Sequence, residues 1–196
     1  IYKLIQKNNL PNTGIRLGLT GGKSEDGFSI SKPNLLISQH HFKPPSKEQL
    51  QNGIHLMSFH HQRQFPQVKT IDYLMAIWLK PLLNRHGADE ALYCQNGVIS
   101  ECPRSNFFLI TKEKKIITPA SNILKGITRM KVLELAQQHF EVEEKDLKLE
   151  DIKDATAAFI TSTTKGILPV SKIDGHTFLL KPVHYLKEFF ERQSIR

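Results

Sequence analysis

Leu124-Lys125-Gly126-Ile127-Thr128-Arg129 is the stretch around which the chain is organised. It reads as a turn delivering backbone amides into a helix start: Gly126 lets the backbone approach a ligand closely, Thr128 adds a hydroxyl, and Val132, Leu135, Ala136 and Phe140 mark the apolar face of the helix that follows. Free N–H groups and the helix macrodipole make such a terminus a phosphate site. An ordinary loop-to-helix junction can carry the same six residues, so the surrounding chain has to decide between the two.

With 196 residues the chain can bury a real core, as one large or two small domains. A formal net charge of +8 favours acidic partners: nucleic acid, membrane surfaces or phosphorylated small molecules. The charge is thinly spread, however, with Lys112, Lys114 and Lys115 interrupted by Glu113, and no basic helix face or basic-aromatic interleaving occurs. Nucleic acid is therefore not expected as a partner. Cys94 and Cys102 form no metal-ligand spacing and no disulfide framework, which fits a reducing, cytoplasmic setting with no metal. No apolar run approaches membrane-spanning length, so no membrane partner is expected. The chain opens without methionine on Ile1-Tyr2-Lys3-Leu4-Ile5, already the apolar face of a helix, and a native protein beginning further upstream is expected.

Ile1 to Asn9 reads as a helix, Ile15 to Thr20 as an alternating strand followed by a flexible Gly/Ser loop, and Asn34 to Ile37 as a short buried strand. His40 to Ser46, with Pro44-Pro45, reads as an extended linker. Ile54 to Phe59 alternates as a half-buried strand. His60 and His61 follow as adjacent residues with no carboxylate nearby, a spacing that suits solvated histidines better than a metal. From Val68 a helix is expected with Ile71, Leu74, Trp78 and Leu82 on its buried side, kinked or broken at Pro81. Lys69 falls at its start, where a lysine is usually just solvated. Four short strands, Glu90–Cys94, Val98–Glu101, Asn106–Ile110 and Lys115–Thr118, read as an antiparallel meander. A brief helix at Leu149–Asp154 precedes two strands flanking Thr161-Ser162-Thr163-Thr164, a second oxyanion cradle or simply a Ser/Thr turn. A C-terminal helix from Val183 to Gln193 is expected to bury Val183, Leu186, Phe189 and Phe190. Strands and helices without regular alternation make the fold class α+β.

Four segments then occur in one order: Val68-Lys69-Thr70-Ile71-Asp72-Tyr73-Leu74, Ile99-Ser100-Glu101-Cys102-Pro103-Arg104-Ser105-Asn106-Phe107-Phe108, Ile123 to Arg129, and Thr161 to Val170. Together they resemble the fold-type IV pyridoxal-phosphate enzymes, which include the branched-chain and D-amino acid aminotransferases and aminodeoxychorismate lyase. The resemblance implies pyridoxal 5'-phosphate as cofactor and three segments: residues 1–40 as the C-terminal part of a small α/β domain, 41–46 as the linker, and 47–196 as the large cofactor-binding domain. It also implies amino acid and keto acid substrates and a homodimer. Lys69 matches the lysine that forms an aldimine with the cofactor and later moves the α-proton. Glu101 matches the carboxylate that keeps the pyridine nitrogen protonated. Tyr73 matches a tyrosine near the cofactor's phenolate oxygen, and Leu124 a residue packed on its ring. Ile127 and Thr128 match the phosphate turn, and Ser162 and Thr163 the second phosphate-binding turn.

Departures from the family are also visible. Its phosphate arginine lies upstream of Ile1, Thr20-Gly21-Gly22 stands where the D-amino acid enzymes carry a substrate-binding arginine, and Thr177 to Pro182 is shorter than the usual loop before the last helix. The first expectation is a branched-chain-like class IV aminotransferase. The alternative is aminodeoxychorismate lyase, which Ala88-Asp89-Glu90-Ala91-Leu92 and Ser100-Glu101-Cys102 also resemble, releasing pyruvate with the same lysine, carboxylate and turns. A non-catalytic phosphate- or nucleic-acid-binding domain rests on the charge alone.

Overall fold

The computed structural model describes residues 1–10 and 13–194. The chain divides into two compact units, Ile1–Pro44 and Pro45–Arg196. In the first, α1 (Tyr2–Asn8) ends at Asn9, whose left-handed φ of 46° lets its N–H reach back to Ile5. β1 (Thr13–Thr20) and β2 (Asn34–His41) pair antiparallel from Thr13↔His41 to Thr20↔Asn34. The loop between them is tied down rather than loose: Asp26 accepts from Phe28 N, Ser29 N, Ser24 Oγ and Ser29 Oγ, which holds its carboxyl far below the usual range. The strand beginning at Asn34 is longer than expected, and Leu35 and Leu36 are exposed rather than buried. Two strands and one short helix have too little area to bury either face.

The second unit starts with α2 (Lys47–Asn52), whose first turn is closed by a Ser46–Gln49 capping box. β3 (Ile54–His60) follows, then α3 (Leu74–Arg85), β4 (Glu90–Gln95), β5 (Val98–Ile99), β6 (Glu101–Cys102), β7 (Ser105–Thr111) and β8 (Ile116–Pro119). Next come α4 (Ile127–Ala136), β9 (Val142–Lys145), β10 (Leu147–Lys148) and a 3-10 helix (Leu149–Asp154). β11 (Ala155–Ser162), β12 (Gly166–Ile173), β13 (His176–Thr177) and α5 (Lys181–Ser194) complete it. Among the described residues, no helix is long and apolar enough to cross a membrane.

Eleven strands form one sheet in the order β10-β5-β4-β3-β12-β11-β7-β8-β9, with β13 on β12 and β6 on β7. The expected meander is thus split. β4–β5 and β7–β8 are antiparallel hairpins, but β3, β12 and β11 lie between them, with β3 parallel to both of its neighbours. β10 also lies against β8, near the other end of the path, so the sheet curls back on itself. Side chains on β7 alternate between two cores, Phe107 and Leu109 in one, Phe108 and Ile110 in the other, as a sheet covered on both faces requires. The second core is closed by Val132, Leu133 and Ala136 of α4 and Val183 and Leu186 of α5, with Phe108 stacked on Phe159 at 4.6 Å. On α5, Phe189 and Phe190 are only half-buried.

α3 differs most from its expectation. It starts at Leu74, not Val68, runs on past Pro81, and buries Leu79 and Leu83 against Ala91 and Tyr93. Ile71, Leu74 and Trp78, expected inside, are exposed. Leu74–Trp78–Leu82 and Met75–Leu79–Leu83 are both apolar rows at helical spacing, so periodicity does not choose between them.

Candidate functional site

The site forms around a short hairpin. β6 and β7 are joined by the two residues Pro103 and Arg104, which sets Glu101 opposite Asn106 and Cys102 opposite Ser105. Glu101 is 4% exposed. Its Oε1 accepts from Arg63 Nη1 at 2.7 Å, and its Oε2 accepts from Asn106 Nδ2 at 3.1 Å and the Leu124 amide at 3.0 Å. Asn106 Nδ2 also donates to the Leu124 carbonyl at 2.6 Å. Burial pushes the Glu101 carboxyl up from its ordinary value, and the Arg63 and Leu124 bonds, with the charge of Lys69, pull against it. Arg63 reaches further: Nη1 donates to the Pro66 carbonyl at 3.1 Å and Nη2 to that of Val68 at 2.8 Å. One guanidinium therefore fastens the Lys69 loop to the Glu101 carboxylate.

Leu124 leads into Gly126, the N-cap of α4. Among the described residues no side chain caps this helix, which leaves its first-turn N–H groups open to an acceptor. Gly126 has an ordinary φ of −68°, yet a Cβ there would overlap Asn106 Oδ1. Glycine is thus required by the neighbouring amide, not by the turn. Behind it, Arg129, 1% exposed, donates to the Pro119 carbonyl at 2.8 Å and to Glu144 at 2.7 Å, fixing the helix start to the ends of β8 and β9.

Across β7, Thr161 of β11 stands opposite Asn106. Its Oγ1 is buried and has no hydrogen-bond partner among the described residues. The turn after it is pinned by Lys165, which pairs with Glu90 and donates to Ser105 Oγ at 3.0 Å.

These pieces enclose a cavity of about 210 Å³. All eight residues singled out from the sequence line it: Lys69, Tyr73, Glu101, Leu124, Ile127, Thr128, Ser162 and Thr163. Lys69 is exposed, and Glu101 feels its charge. The Arg104 guanidinium carbon sits 6.0 Å from the Tyr73 ring centroid. Arg63, Asn106, Thr161 and Arg104 also line the cavity without having been assigned a role from the sequence. Asn106 and Arg104 lie inside a quoted segment, but their roles depend on hairpin register. Arg63 lies outside all four segments.

A second cavity, of about 390 Å³, shares the walls Arg63, Thr70, Tyr73 and Pro103. There His61 meets Tyr93 edge-on at 4.7 Å, and burial lowers the His61 pKa while pushing the Tyr93 hydroxyl up to about 12. Chemically, the first cavity offers an amine, a buried carboxylate for a positively charged ring atom, and an uncapped helix start beside hydroxyls for a multiply charged anion.

The sequence model of the family described as amino-transferase class IV matches residues 1–173. D-alanine aminotransferase of Bacillus licheniformis is 32% identical over 185 residues, covering 90% of this chain and 64% of its own length. The chain thus spans just under two thirds of that relative. A Legionella pneumophila structure titled "Putative 4-amino-4-deoxychorismate lyase" superposes with a TM-score of 0.87 at 29% identity, covering 97% of this chain and 73% of that one. The branched-chain amino acid aminotransferase of Escherichia coli gives 0.81 at 27% identity, covering 96% and 68%.

Proposed function

Because the chain belongs to the class IV aminotransferases, we propose that it is a pyridoxal-phosphate-dependent aminotransferase with Lys69 as its catalytic residue. The observation that carries the reading is that Lys69, Glu101 and the uncapped start of α4 line one cavity. The cavity also fits the cofactor in its own right: among the described residues Thr161 Oγ1 lacks a partner, and no side chain caps the helix amides at Gly126. Bound there, pyridoxal phosphate supplies an aldehyde that takes up the substrate's amino group and a ring that accepts the electrons of its α-carbon.

The chain's residues do the rest. Lys69 would hold the cofactor and would carry the proton from the substrate α-carbon. Glu101, whose oxygens accept from Arg63 and two further N–H donors, keeps a proton on the ring nitrogen. The amides of Ile127 and Thr128, with the Ser162–Thr163 turn, bind the phosphate. Tyr73 and Leu124, which line the same cavity, would help to hold the ring. In this reading the unit Ile1–Pro44 belongs to a small domain and Pro45–Arg196 is the cofactor domain of a cytoplasmic enzyme. The exposed apolar residues Leu74, Ile77 and Trp78 of α3 support a homodimer.

The test uses the chain as it stands. Incubation with pyridoxal phosphate followed by borohydride should leave one cofactor attached, mapped to Lys69 by peptide mass, and a Lys69→Ala chain should carry none. Branched-chain amino acids and alanine, each in both enantiomers, with 2-oxoglutarate should give keto acid. An unlabelled Lys69 sinks the assignment. Pyruvate released from aminodeoxychorismate without an acceptor would favour the lyase, for which the Legionella likeness speaks.

A further inference from the structure

Four cationic side chains, Arg63, Lys69, Arg104 and Lys125, line the cavity against a single carboxylate, Glu101. Arg63 is committed to Glu101, and the reading above commits Lys69 to the cofactor. Arg104 and Lys125 remain, and among the described residues neither has an ion pair.

Arg104 is the better placed of the two. It is the second residue of the two-residue turn whose flanking pairs are Cys102↔Ser105 and Glu101↔Asn106, so its backbone is fixed three residues from the carboxylate. Pro103 before it pre-sets the turn. The guanidinium is exposed and lies 6.0 Å from the Tyr73 ring centroid, a contact that engages none of its N–H donors, which are unpaired among the described residues. A planar fork of donors beside an aromatic ring matches a carboxylate in bidentate fashion. A branched aliphatic side chain would offer it nothing in return for desolvation.

We propose that Arg104 is the specificity residue of this site, gripping a second carboxylate on the substrate, so that the preferred amino acid or keto acid is dianionic rather than branched aliphatic. Lys125, which also lines the cavity, adds to the positive field without the fork. The proposal rests on the aminotransferase reading for the word substrate, but the anion preference is measurable without turnover.

The experiment titrates the chain, with and without pyridoxal phosphate, with glutarate and with pentanoate, which match in carbon number and differ by one carboxylate. Calorimetry on wild type, Arg104→Gln and Arg104→Lys reads the ratio of the two affinities. Wild type should favour glutarate by about tenfold or more, Arg104→Gln should bring the ratio close to one, and Arg104→Lys, a point charge without the fork, should fall between. A wild-type ratio near one, or a preference that survives Arg104→Gln, overturns the proposal. If the cofactor fails to attach to Lys69, the aminotransferase reading falls while the titrations of the cofactor-free chain still decide the role of Arg104.

Discussion

Thr161 carries the least satisfied polar atom on the cavity wall. A buried hydroxyl without a partner costs roughly 1–3 kcal/mol, and valine has nearly the same shape without the polarity. Thr161→Val is therefore expected to stabilise the ligand-free chain by about 1 kcal/mol in urea unfolding. The same change should weaken pyridoxal phosphate binding, read from absorbance titration. A variant that loses both stability and affinity would show the hydroxyl to be structural. Residues of this kind also mark the limit of what a sequence displays. Lys69, Glu101 and Thr128 were nameable as candidates because each role that the resemblance implies demands a residue type at a fixed place in a segment. Arg63 was not, because its partner Glu101 is 38 residues away and no local spacing records the pair.

The helix start at Gly126 was legible as a loop-to-helix junction, but the reason for the glycine was not. Its backbone would suit other residues, and the obstacle is Asn106 Oδ1 on a neighbouring strand. Gly126→Ala should force the Asn106 amide away from Leu124 and Glu101, at a cost of about 1–3 kcal/mol by chemical denaturation. An unchanged midpoint would mean that the amide yields freely. Two other elements escaped the sequence for definable reasons. β9 is Val142-Glu143-Glu144-Lys145, an edge strand whose charges blunt further pairing and erase the usual strand pattern. α3 carries two apolar rows, and the one that packs is chosen by where the helix begins. That start is set by Asp72, whose carboxylate accepts from the Leu74 amide, after a Lys69 loop held by Arg63.

For the whole molecule, the row that does not pack has its own consequence: Ile77 is 70% and Trp78 67% exposed. If this face joins two copies, Trp78→Glu should shift the mass by light scattering from dimer to monomer, and an unaltered mass would place the interface elsewhere. The α+β class was legible from irregular alternation of strands and helices, whereas the parallel pairings of β3 were not, since each is made across a long excursion of the chain. Ser58 N donates to Asp174, 116 residues further on. That central position makes synthesis itself awkward. Until β12 has left the ribosome, β3 has only β4 beside it, so an apolar edge stays open while most of the polypeptide is being made. Folding of this unit should accordingly be slow and intolerant of C-terminal truncation before Ile173.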